Sequence, residues 1–156
     1  MGRQTWLRGE SSARSLEAVL RLARRATEID PDYARAWALM AFAQATLRLR
    51  HDRKDLDGLP AAERAMALDP QLAEPHAVKA RILAEDGRTE EAEAEVQTAL
   101  ALDPESLEVN EAAAYQRYRQ RRIQQARRSD SHRRQRIRGC DGRAGHSVIA
   151  GAERSS

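Results

Sequence analysis

The sequence predicts an all-α fold: helix–turn–helix pairs stacked side by side into an α-solenoid, followed by a disordered basic tail. Three observations carry that prediction. Apolar residues make up 41% and charged residues 33%, while aromatics are only 4%, a balance that suits amphipathic helices and not sheets. One phrase recurs three times, as Arg25-Ala26-Thr27-Glu28-Ile29-Asp30-Pro31, Arg64-Ala65-Met66-Ala67-Leu68-Asp69-Pro70 and Thr98-Ala99-Leu100-Ala101-Leu102-Asp103-Pro104. The last two of its prolines are 34 residues apart and the first two 39, a spacing in the range of helical-pair repeats.

Each element follows from the phrase. Small and apolar residues at helical spacing close a helix that packs tightly on a neighbour, and Asp-Pro ends it. Proline cannot extend the helix, and it biases the preceding residue away from αR. Residues Ser12 to Ile29 read as a second helix with Leu16, Val19, Leu20, Ala23 and Ala26 on its buried face. Its first helix would precede Ser11, where Trp6-Leu7-Arg8-Gly9 is a candidate remnant, so the array is expected to start in mid-repeat. The next repeat runs from Tyr33 to Pro70. Its turn, His51 to Gly58, is about five residues longer than usual, and Pro60 stands near the first position of its second helix. In the third repeat Leu72 to Asp86 is a first helix and Gly87 its C-terminal stop. Thr89 then starts a second helix with a stripe of Ala92, Val96, Ala99 and Leu100. A fourth first helix is expected from Glu105 to Gln120, with Ile123 to Ala126 beginning its partner. The expected bounds are an irregular N-terminus at 1–11, an array at 12–126 (12–31, 33–70, 71–104, 105–126) and an Arg-rich tail at 127–156.

Between Gln71 and Pro104 the chain resembles a tetratricopeptide repeat, with small residues at Ala80, Ala92 and Ala99 where that family needs close helix approach. Trp37 and Ala41 fall at the corresponding aromatic and small-residue positions of the preceding repeat. The resemblance implies a right-handed superhelix whose first helices line a concave groove for peptides or partner surfaces. Carried over by register from Pro31, Pro70 and Pro104, the groove candidates are Arg35, Phe42, Glu74, Arg81, Glu85, Glu108, Glu111 and Tyr115, with Thr46 and Arg119 beside them. A carboxylate clamp for a chaperone tail needs Lys, Asn and Arg to grip two carboxylates. Those positions hold Ala38, Phe42, Val78, Glu108 and Ala112 here, so such a tail is not an expected ligand. Trp37 is expected to pack inside its repeat and not to stack on a ligand. Phrases such as Ala-Glu-Pro-His-Ala and Ala-Arg-Ile-Leu-Ala-Glu-Asp-Gly also resemble the repeats that follow bacterial cyclase or transcription-regulator domains, which implies a non-catalytic fragment of a larger regulatory protein.

Charge divides the chain. Residues 1–116 carry 15 basic and 21 acidic side chains, and residues 117–156 carry 12 and 3. Ten arginines lie between Arg117 and Arg138. Such a run can bind phosphate backbones through a salt-sensitive, sequence-independent attraction. The abrupt change of composition fits either a native basic tail or a reading-frame change or truncation in a GC-rich gene; the abruptness favours the second.

The chemistry-bearing patterns are sparse. Cys140 is the single cysteine, so the chain has no internal disulfide, which agrees with a cytoplasmic setting. No run of about 18 apolar residues is present, and no secretory signal opens the chain. The acidic turn with Asp52, Asp55 and Asp57 has Glu63 at the distance of a closing calcium ligand, but Lys54 and Leu56 occupy ligand positions and Asp57 replaces the required glycine. His51, His76, His132 and His146 lack zinc spacing. No phosphate loop or nucleophile elbow occurs. The expectation is therefore a non-enzymatic protein-interaction scaffold of bacterial type without metal or cofactor. Its partner would be a protein or peptide, with nucleic acid or an acidic partner as the alternative. Self-association through uncapped end repeats is also expected.

Overall fold

The computed structural model describes residues 12–141, with side chains through residue 134. Trp6-Leu7-Arg8-Gly9, Cys140 as a side chain, and the tail from Gly142, including His146, lie outside the described residues. These residues hold six helices and no strand: α1 (Ala13–Ile29), α2 (Ala34–Arg50), α3 (Leu59–Leu68), α4 (Ala73–Glu85), α5 (Thr89–Leu102) and α6 (Leu107–Asp141). The fold is all-α and solenoid-like. Two units divide the chain, 1–118 and 119–156.

The Asp-Pro phrase works the same way each time. Asp30, Asp69 and Asp103 cap α1, α3 and α5 in extended conformation, as the following proline demands. Each Asp donates its own N–H to the carbonyl of Ala26, Ala65 or Ala99 at 2.9 Å. Each Oδ1 then accepts the N–H two residues on, from Asp32 at 3.1 Å, Gln71 at 3.0 Å and Glu105 at 3.0 Å. The turn is thus a local hydrogen-bonded device, independent of what packs around it. Trp37 Nε1–H donates to the Pro31 carbonyl and Asn110 Nδ2–H to the Pro104 carbonyl, both at 2.8 Å, which ties the next helix to the turn. Trp37 is half-buried and packs on the core, as expected.

Helix packing in the first unit rests on alanine. α2 packs on α1, α3 and α4, and α4 packs on α5, α3 and α2. Ala38 meets Ala65, Ala77 meets Ala99, and Ala80 meets Val96 in buried clusters. The first turns of α6 join them through Val109, Ala112 and Ala113. Small side chains let helix axes approach within the 8 to 10 Å of tight packing, at roughly 0.8 kcal/mol per buried methylene-sized group. In α1 the buried residues are Leu16, Leu20, Ala23 and Thr27. Val19 and Ala26, expected on that face, are half-buried instead.

Two expectations are corrected in the chain's C-terminal part. The turn expected between Gln120 and Ile123 does not occur, and residues 127–141 are helical instead of disordered, all within α6. The physical reason is the absence of a stop signal. No glycine or proline lies between Glu105 and Arg138, arginine, glutamine and alanine are strong helix formers, and a helix already nucleated by its packed start extends cheaply. An Arg134–Asp130 ion pair at 3.2 Å sits one turn apart along it. The expected boundary at residue 126 falls inside this unbroken helix. In the second unit, Arg121, Arg122, Arg127, Arg128, Arg133 and Arg134 are exposed.

Candidate binding groove

The first unit contains a cavity of about 530 Å³, built from four elements. α1 lends Leu22, Ala23 and Ala26. Tyr33 and α2 lend an aromatic rim and Arg35, Ala36, Ala38, Leu39 and Phe42. Leu72 and α4 add Glu74 and Val78, and α6 adds Glu108. The register explains the convergence. Phe42 lies one turn after Leu39 and Ala38 on α2, and Val78 one turn after Glu74 on α4, so each helix turns one stripe inward. Leu22, Tyr33 and Leu39 are large apolar side chains left exposed at the mouth. Arg35, Glu74 and Glu108 are exposed and supply charge of both signs around an apolar floor. Ser106 Oγ–H donates to Glu108 Oε2 at 3.2 Å.

Of the groove candidates, Arg35, Phe42, Glu74 and Glu108 come together here. The others do not. Arg81 is half-buried further along α4. Burial pushes its guanidinium below the ordinary range, as does the charge of Arg50, while Glu111 and Glu85 act in the other direction. These four charges form a separate group beyond the cavity. Tyr115 packs against Leu83, Ala84 and Ala92 instead of lining the opening. Thr46 is buried within α2, and Arg119 belongs to the second unit.

The residues missed from sequence were the apolar ones. First-helix register does not reach Leu22, on a second helix, or Tyr33, before α2, and Leu39 lies on a first helix but outside the register positions of Arg35, Phe42 and Thr46. Leu22 did carry a signal. The same register position holds Ala61 in α3 and Glu95 in α5, so a leucine there is out of pattern.

A second polar cluster went unforeseen, away from the cavity. Glu95 of α5 accepts from His76 Nδ1–H at 2.7 Å and from Lys79 Nζ at 2.7 Å, both on α4. Burial pushes the Glu95 carboxyl up, but the hydrogen bonds of Lys79 and His76 and their positive field hold it below the usual carboxylate value. In the acidic turn, Arg53 bridges Asp55 at 2.8 Å and Glu17 at 2.9 Å, Lys54 pairs with Asp52 and Arg48 with Asp57. Those carboxylates therefore point to their own cations. Among the described residues no group of three or more His, Cys, Asp or Glu is arranged to hold a metal ion. None of the described helices is long and apolar enough to cross a membrane.

No protein-family model matches the chain. No curated protein matches it either. Eighteen solved chains do match. One is a mutant O-GlcNAc transferase from Thermobaculum terrenum, 25% identical, with a TM-score of 0.50 over 60% of this chain and 17% of that one. The chain thus spans a small part of that transferase's length, and the likeness is one of helical fold.

Proposed function

We propose that this protein is an interaction scaffold of tetratricopeptide type, whose cavity between α1, α2, α4 and the start of α6 receives an apolar segment of a partner polypeptide. The supporting observation is the combination of an open cavity of about 530 Å³ with exposed Leu22, Tyr33 and Leu39 at its mouth. Water-exposed apolar side chains gathered at one concavity mark a binding surface. Phe42 and Val78 form the floor, and Arg35, Glu74 and Glu108 orient the ligand by charge. Arg81, Glu85 and Glu111, a separate charged group beyond the cavity, meet the partner farther along in this reading, while Tyr115 packs with Leu83, Ala84 and Ala92 and takes no direct part. The role is non-catalytic, and the chain serves it as part of a larger regulatory protein.

The test is selection of a displayed peptide library on the full chain. Peptides with one or two apolar anchors are expected, and Leu39→Asp should weaken them at least about tenfold, the worth of one buried apolar anchor. If selected peptides bind Leu39→Asp and Phe42→Glu variants as well as the parent chain, the groove reading fails.

The helical state of the arginine run supports a second reading, polyanion binding by the exposed arginines of α6 beyond Tyr118. Retention of a short DNA duplex would then fall steeply with salt and vanish on deletion of residues 127–156. A salt-insensitive interaction would exclude it.

A further inference from the structure

We propose that a second copy of this chain docks end to end on the first, the start of α6 of one copy lying along α1 of the other. This goes beyond the groove reading, since a lone chain already holds the groove.

The argument rests on repeat register. In both complete pairs the first helix turns a row of alanines to its second helix: Ala38 and Ala41 in α2, Ala77 and Ala80 in α4. All four are buried. Counted from Pro104, the same row on α6 is Leu107, Glu111 and Ala114. Leu107 is 68% exposed and Ala114 is exposed, because α6 runs on where a second helix would turn back. The mirror situation holds at α1. Ala61 of α3 and Glu95 of α5 face the first helix of their own pair and are covered. Leu22 occupies that position on α1 and is 71% exposed, with no first helix before it among the described residues. The two faces that meet inside every complete pair thus stand open, one on α1 and one on α6.

Charge agrees with this pairing. Arg64 on α3 pairs across its own repeat with Asp32, just before α2, at 3.1 Å. The same two register positions hold Arg25 on α1 and Glu105 just before α6. Docking α6 of one copy on α1 of another brings this opposite pair together and buries Leu22 against the α6 row. Because the two faces differ, the contact is heterologous and repeats from copy to copy into open-ended chains. Glu111 stands where Ala38 and Ala77 pack, which keeps the contact weak.

Sedimentation velocity of the full chain over a hundredfold range of concentration tests this. The weight-average mass should rise above the 17.5 kDa of one chain. Leu22→Asp should weaken association by at least about tenfold, by the loss of one buried leucine. Arg25→Glu and Glu105→Arg should each weaken it about fivefold, by setting like charges opposite. An equimolar mixture of those two variants should recover association, since each then meets its opposite charge. Glu111→Ala should tighten it. All four positions are exposed in a single chain, so circular dichroism should show unchanged helicity. A mass of one chain at every concentration overturns the proposal, as does association unaffected by Leu22→Asp or a mixture no better than its parts. A monomeric Leu22→Asp chain with altered melting would also overturn it, by showing that the chain covers this face itself.

Discussion

The pairs α2–α3 and α4–α5 share a register and differ in how they close. The α4–α5 turn is minimal. Gly87 takes a φ of +81° and the Arg88 N–H reaches the Leu83 carbonyl at 2.9 Å, the left-handed stop of a tight helix end. The α2–α3 connection is longer by five residues and is folded onto the pair. Leu56 is buried in the main cluster with Ala41, Ala45 and Ala62, and Gly58 lies so close to α2 that an added Cβ would stand 2.7 Å from the Ala41 carbonyl oxygen. Both loops need glycine, for opposite reasons. Gly87 needs backbone freedom in open space, and Gly58 needs the absence of a side chain at an ordinary φ of −80°. The comparison teaches that a repeat tolerates an insertion when the inserted residues make their own core contact.

That contrast can be broken or sharpened by substitution. Gly58→Ala should cost most, about 3 kcal/mol, because the clash is with backbone that cannot swing aside. Urea unfolding would show it as a lower midpoint at unchanged slope. A cost no larger than that of Gly87→Ala would mean the loop is not seated on α2. Leu56→Ala should follow at about 2.5 kcal/mol, by the same measurement, from lost burial and the cavity it leaves. Gly87→Ala should cost about 1.5 kcal/mol, from conformational strain alone; its added methyl meets nothing within 4 Å.

Smallest is the polar tie across α4–α5. Glu95→Gln should cost about 1 kcal/mol at neutral pH, discounted because the cluster is partly wet. The sign with pH follows from the lowered carboxyl. Its contribution is full above the unfolded value, ordinarily 4.5, and is lost as pH falls through the lower folded value. Thermal melts of the parent chain and Glu95→Gln should therefore converge on acidification below about pH 4.5. Curves that stay parallel there would remove Glu95 from the account.

Much of the fold was legible because its signals are local. Asp30, Asp69 and Asp103 each build their turn from backbone groups within four residues, so the phrase that spells the turn also makes it. Gly87 announced its stop for the same reason. The arginine-rich half of α6 was misread because its helix has no buried stripe to display; backbone propensity without a breaker suffices. Half of the groove candidates converge and half do not. The register of a first helix tells which face it turns inward but not how far the cavity reaches. Leu39 reads as an ordinary apolar residue until its exposure at the opening is seen.

By itself, the sequence determined where α1 to α5 begin and stop and that small residues such as Ala80, Ala92 and Ala99 sit at close helix contacts, because caps, glycine turns and small-residue spacing act over a few residues of one chain. Only the tertiary structure decided that Leu56 closes the long turn, that Glu95 gathers His76 and Lys79, and that Leu22 on α1 and Leu107 on α6 are the apolar side chains left exposed there. Those outcomes depend on distances between residues far apart in the chain, which packing sets and local pattern does not encode.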